Sequence, residues 1–331
     1  MFAIKKALKK FTHPNSTPTE QVAPKLHASV YYGAPGQDAP ETYKKHRIDV
    51  LRVQYFNLLN TGHLQRVDED PDNLFDTQNG FSEENVRELK QYSSEQLVTV
   101  AGHTAGMRLI TKDANNSTTA ITTLVNFVEE HQLTGIDIDF ESYSEWDDED
   151  YTAYKNFIFA LGNKLHSIGR KLAICGPVWT SDHPPFRWRY EDIVSLPVDY
   201  ITLMVYDYQC DHGGGQPICP LAWLKRWAGT MTKIIPDNRL VIGIPSYSYS
   251  AVEDEYNIQN LTLEQVKEKN GYQGGRRDPS SAEVIKEVDG VMYVINDRHS
   301  LNTKRRLLEQ LGVKHIAVWH LGGNDWFGDG I

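Results

Sequence analysis

The hydrophobic and polar positions of this 331-residue chain divide it into short apolar runs separated by longer amphipathic stretches. Most runs are rich in β-branched and aromatic residues and are continuously apolar, which is typical of strands buried on both faces. The eight runs are Leu26–Gly33, Val50–Leu59, Gln96–His103, Gly135–Glu141, Lys171–Trp179, Tyr200–Tyr208, Arg239–Tyr247 and His315–Gly323.

Helical periodicity occupies several of the intervals between these runs. The predicted helices cover Ser82–Tyr92, Thr118–His131, Glu149–Gly169 and Asn302–Gly312. Strands that alternate with helices favour a parallel sheet, and eight such units in roughly 300 residues fit an α/β (β/α)8 TIM barrel. An open, doubly wound sheet is the alternative, but no Gly-x-Gly-x-x-Gly sequence opens a helix here, which weakens a dinucleotide-binding fold.

The domain organisation follows from the same pattern. Residues 26–331 are predicted to form the barrel domain, with a small strand-containing insertion at about residues 248–300, between strands seven and eight. Residues 1–25 join a basic segment, "MFAIKKALKKF", to a proline-containing polar linker, which predicts a flexible tail. The tail lacks the apolar core and cleavage site of a secretory signal, so we expect cytoplasmic residence or export by a non-classical route.

Composition excludes several classes of partner. A net charge of −10 disfavours nucleic acid and anionic membranes, and no apolar run approaches a membrane-spanning length.

Cys175, Cys210 and Cys219 are too few for a disulfide scaffold. Cys210 and Cys219 flank a glycine-rich loop, where a bridge and two free thiols are the alternatives. We expect a monomer that uses no metal or cofactor.

One run carries three carboxyl groups at alternate positions. Asp137, Asp139 and Glu141 would share one face of a strand, because side chains alternate with period two. We call these three residues the acid stack. In a barrel the outer face packs under helices, so the apolar residues of this run would face outward and the acid stack would point into the lumen. Burying unpaired carboxylates costs several kcal/mol, so a contribution to stability does not explain their presence.

The position of the acid stack suggests catalysis. Glu141 ends the strand, and barrel active sites lie at the carboxyl ends of the strands. Neighbouring carboxyl groups cannot all ionise cheaply, so one keeps a proton near neutrality and can act as a general acid. Two alternatives are a solvated edge strand and a divalent-metal site. An EF-hand is disfavoured, because Ser142 occupies the position where that loop needs glycine.

The residues also resemble a known family. "TGIDIDFE", Thr134–Glu141, is similar to the Asp-Gly-x-Asp-x-Asp-x-Glu signature of glycoside hydrolase family 18, the chitinase-like (β/α)8 barrels. "LMVYDY", Leu203–Tyr208, is similar to the family's Met-x-Tyr-Asp, and the last strand ends on a tryptophan, Trp319. The "WxLG" ending resembles the branch with spore-cortex and peptidoglycan-associated members.

The resemblance implies a substrate-assisted, retaining cleavage of β-1,4-linked N-acetylglucosamine glycans. Glu141 would protonate the leaving glycosidic oxygen, and the 2-acetamido carbonyl of the substrate would attack the anomeric carbon. Asp139 would orient the acetamido group, and Asp137 would share a proton with Asp139. Tyr206 would hydrogen-bond the acetamido oxygen.

Further residues are implied as substrate-binding groups. Asp207 would bind a sugar hydroxyl, and Trp319 would form the floor under the distorted sugar. Residues near strand ends that could contact sugar or pack in the core are Tyr31, Met204, Trp179 and Tyr247, with Trp146 and Trp188 in the loops that follow strands.

The chain departs from the family pattern at three positions. Thr134 replaces the first aspartate of the signature, where we expect a structural effect only. Thr99 would replace a serine hydroxyl in supporting Asp137, and His103 would reshape the cleft. The competing functions are an inactive carbohydrate-binding lectin, an endo-β-N-acetylglucosaminidase acting on N-glycans, and a metal-dependent transferase.

Overall fold

A computed structural model describes residues 23–30, 44–67, 81–178, 187–252, 257–269, 273–323 and 325–328. Most of the predicted tail, residues 1–22, lies outside these ranges. The strands are β1 Lys25–Val30, β2 Val50–Leu58, β3 Leu64–Arg66, β4 Glu95–Gly102, β5 Gly135–Phe140, β6 Lys171–Gly176, β7 Tyr200–Met204, β8 Leu240–Pro245, β9 Ser248–Val252, β10 Gln259–Leu261, β11 Arg276–Arg277, β12 Val284–Val288, β13 Val291–Ile295 and β14 His315–Trp319.

Eight parallel strands close into a barrel. Their order is β1-β14-β8-β7-β6-β5-β4-β2, and β1 pairs with both β14 and β2, so the sheet returns on itself. Strand β3 only extends the end of β2 as a short antiparallel partner. Each barrel strand coincides with one of the predicted apolar runs, so the predicted TIM barrel is confirmed and the open doubly wound sheet is wrong.

The helices lie in the intervals between strands. They are α1 Glu83–Tyr92, α2 Thr104–Lys112, α3 Ala114–Glu130, α4 Asp148–Ser167, α5 Tyr190–Ile193, α6 Tyr208–His212, α7 Leu221–Met231, α8 Leu263–Glu268 and α9 Arg298–Gln310. Ser82 caps α1, since its side chain accepts a hydrogen bond from Asn85 N at 3.0 Å. The sequence pattern did not predict α2, α5, α6, α7 or α8. Of these, α2 and α7 each have an interior glycine, Gly106 or Gly229, a residue that weakens helix propensity.

The strand register sets which residues enter the lumen. Parallel partners place Leu97, Thr99 and Ala101 of β4 level with Gly135, Asp137 and Asp139 of β5. The alternate residues of β5 pack outward into the main hydrophobic core, where the ring of Phe140 lies 6.3 Å from that of Phe157 on α4. The apolar face of β5 is therefore covered by helices, and its acidic face is left to the barrel interior.

The insertion between β8 and β14 forms a second, antiparallel sheet, in the order β10-β9-β13-β12-β11. A buried ion pair ties it to the barrel, with Lys304 Nζ 2.9 Å from Glu283 Oε1. Glu283 also accepts hydrogen bonds from the backbone N–H groups of Ile218 and Cys219 at 2.9 and 3.1 Å. In the described part of the chain, no helix has both the length and the apolarity needed to cross a membrane.

Candidate active site

Strand β5 and the end of β4 hold the acid stack at the mouth of the barrel. Glu141 follows the last residue of β5, and its backbone N–H donates to Gly102 O at 2.8 Å. Ser142 then adopts a left-handed conformation, φ 61°, which turns the chain out of the strand. Thr104 Oγ1 donates to Ser142 O at 3.2 Å, so β4 and α2 fix the backbone that carries Glu141.

The lowest acid of the stack is fully paired. Asp137 is 2% exposed, and its two carboxylate oxygens lie 3.2 and 3.3 Å from Arg52 Nη1. Thr99 Oγ1 donates to Asp137 at 3.2 Å, which is the support predicted for this threonine. Cys175 Sγ is a weak fourth contact at 3.9 Å. Asp137 therefore forms a buried ion pair below the cleft.

The two upper acids lie in a different environment. Asp139 Oδ1 is buried and has no hydrogen-bond partner among the described residues. Burial raises the pKa of Asp139 well above its usual value, and the charges of Glu141 and Asp137 add to this rise. Burial and the charge of Asp207 also raise the pKa of Glu141. The raised pKa lets Glu141 keep its proton to a higher pH than an exposed glutamate, as a general acid must.

Two cavities meet at Glu141, Tyr206 and Asp207, which line both of them. The smaller cavity, about 260 Å³, is completed by Ala101, Gly102, His103, Asp139 and Trp319. The larger cavity, about 410 Å³, is completed by Ser142, Tyr143, Ser144, Pro177, Val178, Met204, Cys210 and Asp211. Glu141 thus lies where two parts of a cleft join, so a ligand occupying both cavities would pass over its carboxyl group.

Aromatic rings form one wall of the smaller cavity. The ring of Trp319 stacks on that of Tyr206, with centroids 6.1 Å apart and planes inclined by 20°. Tyr247 meets Trp319 edge-on at 5.0 Å, and its hydroxyl donates to Asp207 Oδ1. Tyr247 is only 1% exposed, so it contacts Trp319 and Asp207 from the side that faces away from the cleft and supports both side chains there.

The remaining aromatic candidates have different positions. Met204 lines the larger cavity. Tyr31 and Trp179 lie outside the described residues. Trp146 and Trp188 are 4% and 1% exposed, with ring centroids 6.0 Å apart, so they pack in the core.

The histidines near the cleft make hydrogen bonds. His103 lines the smaller cavity, and its Nδ1 lies 3.3 Å from Ser142 Oγ. His320 is buried with its Nδ1 2.8 Å from Leu321 O. The imidazole of His103 therefore occupies part of the cleft.

Cys210 and Cys219 are free thiols. Burial raises the pKa of Cys219 to about 12. Cys210 is exposed on its outer side, and its partial burial together with the charges of Asp207 and Asp211 raises its pKa to about 12, so both thiols stay protonated near neutrality. Within the described ranges, no three His, Cys, Asp or Glu side chains converge as a metal-binding group.

Sequence reasoning missed the groups beneath the acid stack, namely Arg52, His27 and Cys175. Arg52 interrupts the apolar run Val50–Leu59. A charged residue at this position was the available signal. Its partner is 85 residues away in the chain, so the pairing itself could not be found by spacing.

A closed (β/α)8 barrel with stacked carboxyl groups under an aromatic-walled cleft has the arrangement of the chitinase-like glycosidases. The comparison with family profiles agrees, since the profile of glycosyl hydrolases family 18 matches residues 27–324. The chain therefore belongs to glycosyl hydrolase family 18, as the sequence motifs predicted.

Curated relatives carry the same similarity. The chain is 30% identical over 246 residues to YdhD of Bacillus subtilis, which is named as a proposed sporulation-specific glycosylase. That match covers 68% of this chain and 57% of YdhD. The chain spans about 60% of the length of the curated relatives it matches.

Solved structures share the fold. A chitinase from Chromobacterium violaceum superposes with a TM-score of 0.74 at 18% identity, covering 92% of this chain and 96% of the chitinase. The spore cortex-lytic enzyme SleL from Bacillus cereus gives 0.73 at 18% identity, covering 91% of this chain and 71% of SleL. A class V chitinase from Nicotiana tobaccum, determined in complex with NAG4, gives 0.69 at 13% identity, covering 91% and 95%.

Proposed function

We propose that the chain is a glycosidase that cleaves β-1,4-linked N-acetylglucosamine-containing glycans, with Glu141 as the general acid. One observation carries this proposal. Glu141 lies where both cavities meet, and burial together with Asp207 raises its pKa. A carboxyl group that keeps its proton can give that proton to a leaving oxygen at the pH where the enzyme works.

The proposed mechanism is substrate-assisted and retaining. Glu141 donates its proton to the glycosidic oxygen while the bond from that oxygen to the anomeric carbon breaks. The carbonyl oxygen of the substrate's 2-acetamido group forms a new bond to the same carbon, which gives a cyclic oxazolinium ion. Water, deprotonated by the Glu141 carboxylate, then opens the ring with net retention of configuration.

The neighbouring residues would orient the acetamido group. Asp139 would accept a hydrogen bond from its N–H, which aligns the carbonyl for attack. Tyr206 would donate to the acetamido oxygen from the wall that both cavities share. Asp137 would stay below them as a buried anion paired with Arg52. Such alignment accelerates the step most when it is fixed before the substrate arrives.

The rest of the cleft would bind the sugar rings. Trp319, half-buried and stacked on Tyr206, would offer its face to the apolar C–H surface of a sugar. Asp207 would accept a hydroxyl hydrogen bond, supported from behind by Tyr247. Met204 would line the larger cavity. Trp179 and Tyr31 lie outside the described residues, and their sequence positions near predicted strand ends make them further candidates for sugar contacts.

Chitin-like and peptidoglycan-like polymers are the proposed substrate class. The similar structures are named as chitinases and a spore cortex-lytic enzyme, and one was solved with an N-acetylglucosamine tetramer. These polymers share the 2-acetamido group that the mechanism needs as its nucleophile.

The Glu141→Gln variant tests the proposal. The amide keeps the shape of the side chain but has no acidic proton, so kcat on chitotetraose should fall at least about 100-fold while the oligosaccharide still binds. Hydrolysis is followed by product masses and binding by calorimetry. Glu145→Gln is the matched control, because this nearby exposed glutamate lines neither cavity.

Two outcomes contradict the proposal. Full activity of Glu141→Gln would remove this residue from its role. Binding without hydrolysis in the unaltered chain would instead indicate a carbohydrate-binding lectin.

A further inference from the structure

A buried cation lies directly beneath the acid stack. The side chain of Arg52 is 2% exposed, and its Nη1 contacts both oxygens of Asp137 at 3.2 and 3.3 Å. Apolar residues of similar volume usually serve stability as well as a buried ion pair does. A role in the chemistry above it is therefore a better reason for this arginine inside a barrel.

Two histidines hold Arg52 from the other side. Arg52 Nη2 lies 3.2 Å from His27 Nδ1, and His27 Nε2 lies 3.1 Å from His315 Nδ1. An arginine only donates, so His27 Nδ1 must accept and His27 carries its proton on Nε2, which donates to His315. Burial keeps both imidazoles neutral, since it lowers the pKa of His27 well below its usual value and that of His315 to about 4.

The charges around the acid stack leave Arg52 as its fixed cation. In the described part of the barrel, the titratable groups whose charges interact with Asp137 or Asp139 are Arg52, Glu141, Tyr143, Tyr154, Cys175 and Tyr206. His27 and His315 lie on the other side of Arg52, and the groups that act on Glu141 include His103 and Asp207. The tyrosines and the thiol stay neutral, because burial raises the pKa of each. Arg52 alone among these groups is always charged.

We propose that Arg52 is a positioning residue for the reaction: by pairing with Asp137, it keeps that carboxylate out of the proton exchange between the two acids above it. This inference rests on the proposed function. Three coupled carboxyl groups would otherwise spread their protons over the whole stack. With Asp137 paired, the proton that the reaction needs belongs to Asp139 and Glu141, which reach the cleft. The arrangement differs from the proton sharing between Asp137 and Asp139 that the family resemblance implies.

The pH profile of kcat/KM tests the proposal. In the proposed mechanism Asp139 acts as a carboxylate that accepts the acetamido N–H hydrogen bond, so its pKa sets the acid limb of the profile. The positive charge of Arg52 lowers the pKa of Asp139, so Arg52→Met should raise that pKa and move the acid limb to higher pH. Arg52→Lys keeps the charge and should keep the acid limb near that of the unaltered chain. Thr99→Val is the matched control, since it removes an equally close but neutral contact of Asp137. Chitotetraose is the substrate for all four proteins.

A double variant separates this role from a structural one. Arg52→Met with Asp137→Asn removes both charges of the pair, so its acid limb should return toward that of the unaltered chain. It also leaves no buried charge unpaired, which keeps the test available if Arg52→Met alone does not fold. An acid limb that stays in place in a folded Arg52→Met protein, or one that moves equally in Thr99→Val, would overturn the proposal.

A second readout needs no enzymatic activity. Without Arg52, the neighbouring carboxylates of Asp137 and Asp139 have no cation beside them, and uptake of one proton by this pair in the folded state relieves their repulsion. The difference in Tm between the unaltered chain and Arg52→Met should therefore shrink as the pH falls. A difference that is constant with pH would refute the pairing role. A chain that cleaves no glycan but shows this pH-dependent difference would refute the proposed function while keeping the pairing role.

Discussion

The three carboxyl groups of the acid stack share one strand face but have different neighbours. Asp137 meets a guanidinium and a hydroxyl, whereas Asp139 Oδ1 has no partner among the described residues. Glu141 faces Asp207 across the junction of the cavities. Residue type alone therefore does not assign their roles. The strand pattern predicted that the three acidic residues share one face. The neighbours that give them different environments lie on other strands, which the pattern does not show.

At this scale we predict how Asp207 affects the working pH. The negative charge of Asp207 raises the pKa of Glu141, so Asp207→Asn should lower that pKa. Because Glu141 must be protonated to act, the basic limb of kcat/KM should move to lower pH. The measurement is the pH dependence of chitotetraose hydrolysis.

Asp211→Asn is the control for this prediction. Asp211 also lines the larger cavity, and its charge acts on Asp207. Its removal should shift the basic limb less than Asp207→Asn does. An equal shift would show that the overall charge of the cleft, not Asp207 itself, sets the pKa of Glu141.

At the scale of the element, strand β5 needs a glycine to begin. A Cβ atom at Gly135 would lie 2.0 Å from Lys171 O, on the backbone of the neighbouring strand β6. No real Cβ contact is that short, so β5 and β6 approach closely only because this position lacks a side chain. The sequence predicted the strand and its alternation. It did not reveal this requirement, which depends on the neighbouring strand.

We predict that Gly135→Ala destabilises the fold. The added methyl group must push β5 away from β6, and such overpacking costs about 1–3 kcal/mol or more. It should also lower kcat, because the acid stack moves with β5. Urea denaturation measures the loss in unfolding free energy.

Gly229→Ala is the control for added methyl groups. Gly229 lies inside helix α7, where a Cβ would meet nothing within 4 Å. This substitution should stabilise the protein by about 0.5–1 kcal/mol, because alanine favours a helix more than glycine does. Equal stability of the two variants would mean that the close approach of β5 and β6 can relax.

At the scale of the whole molecule, the insertion and the barrel share a buried polar junction. Lys304 of α9 bonds Glu283 at 2.9 Å and Asn296 at 2.7 Å, and both partners of the ion pair are 0% exposed. Glu283 in turn holds the backbone of the segment at Ile218 and Cys219, just beyond α6. The junction therefore connects the second sheet to the loop region next to the cleft.

We predict that Lys304→Met strongly destabilises the chain. It would leave the buried Glu283 carboxylate without its cation, a change that costs about 3–5 kcal/mol. Lys267→Met, which breaks the exposed pair with Glu264, should cost at most about 1 kcal/mol. Urea denaturation followed by tryptophan fluorescence compares the two. Similar losses would argue against the importance of this junction.

The sequence by itself determined the order of strands and helices, the alternation of acids and apolar residues on β5, and the motifs that place the chain in its family. These features are local, because strand and helix periods are properties of neighbouring residues. Only the tertiary structure decided that Arg52 pairs with Asp137, that Tyr247 lies behind Trp319, and that Trp146 and Trp188 pack in the core. Each of these depends on which residues barrel closure brings together, and no periodicity along the chain encodes a contact between Arg52 and Asp137, 85 residues apart.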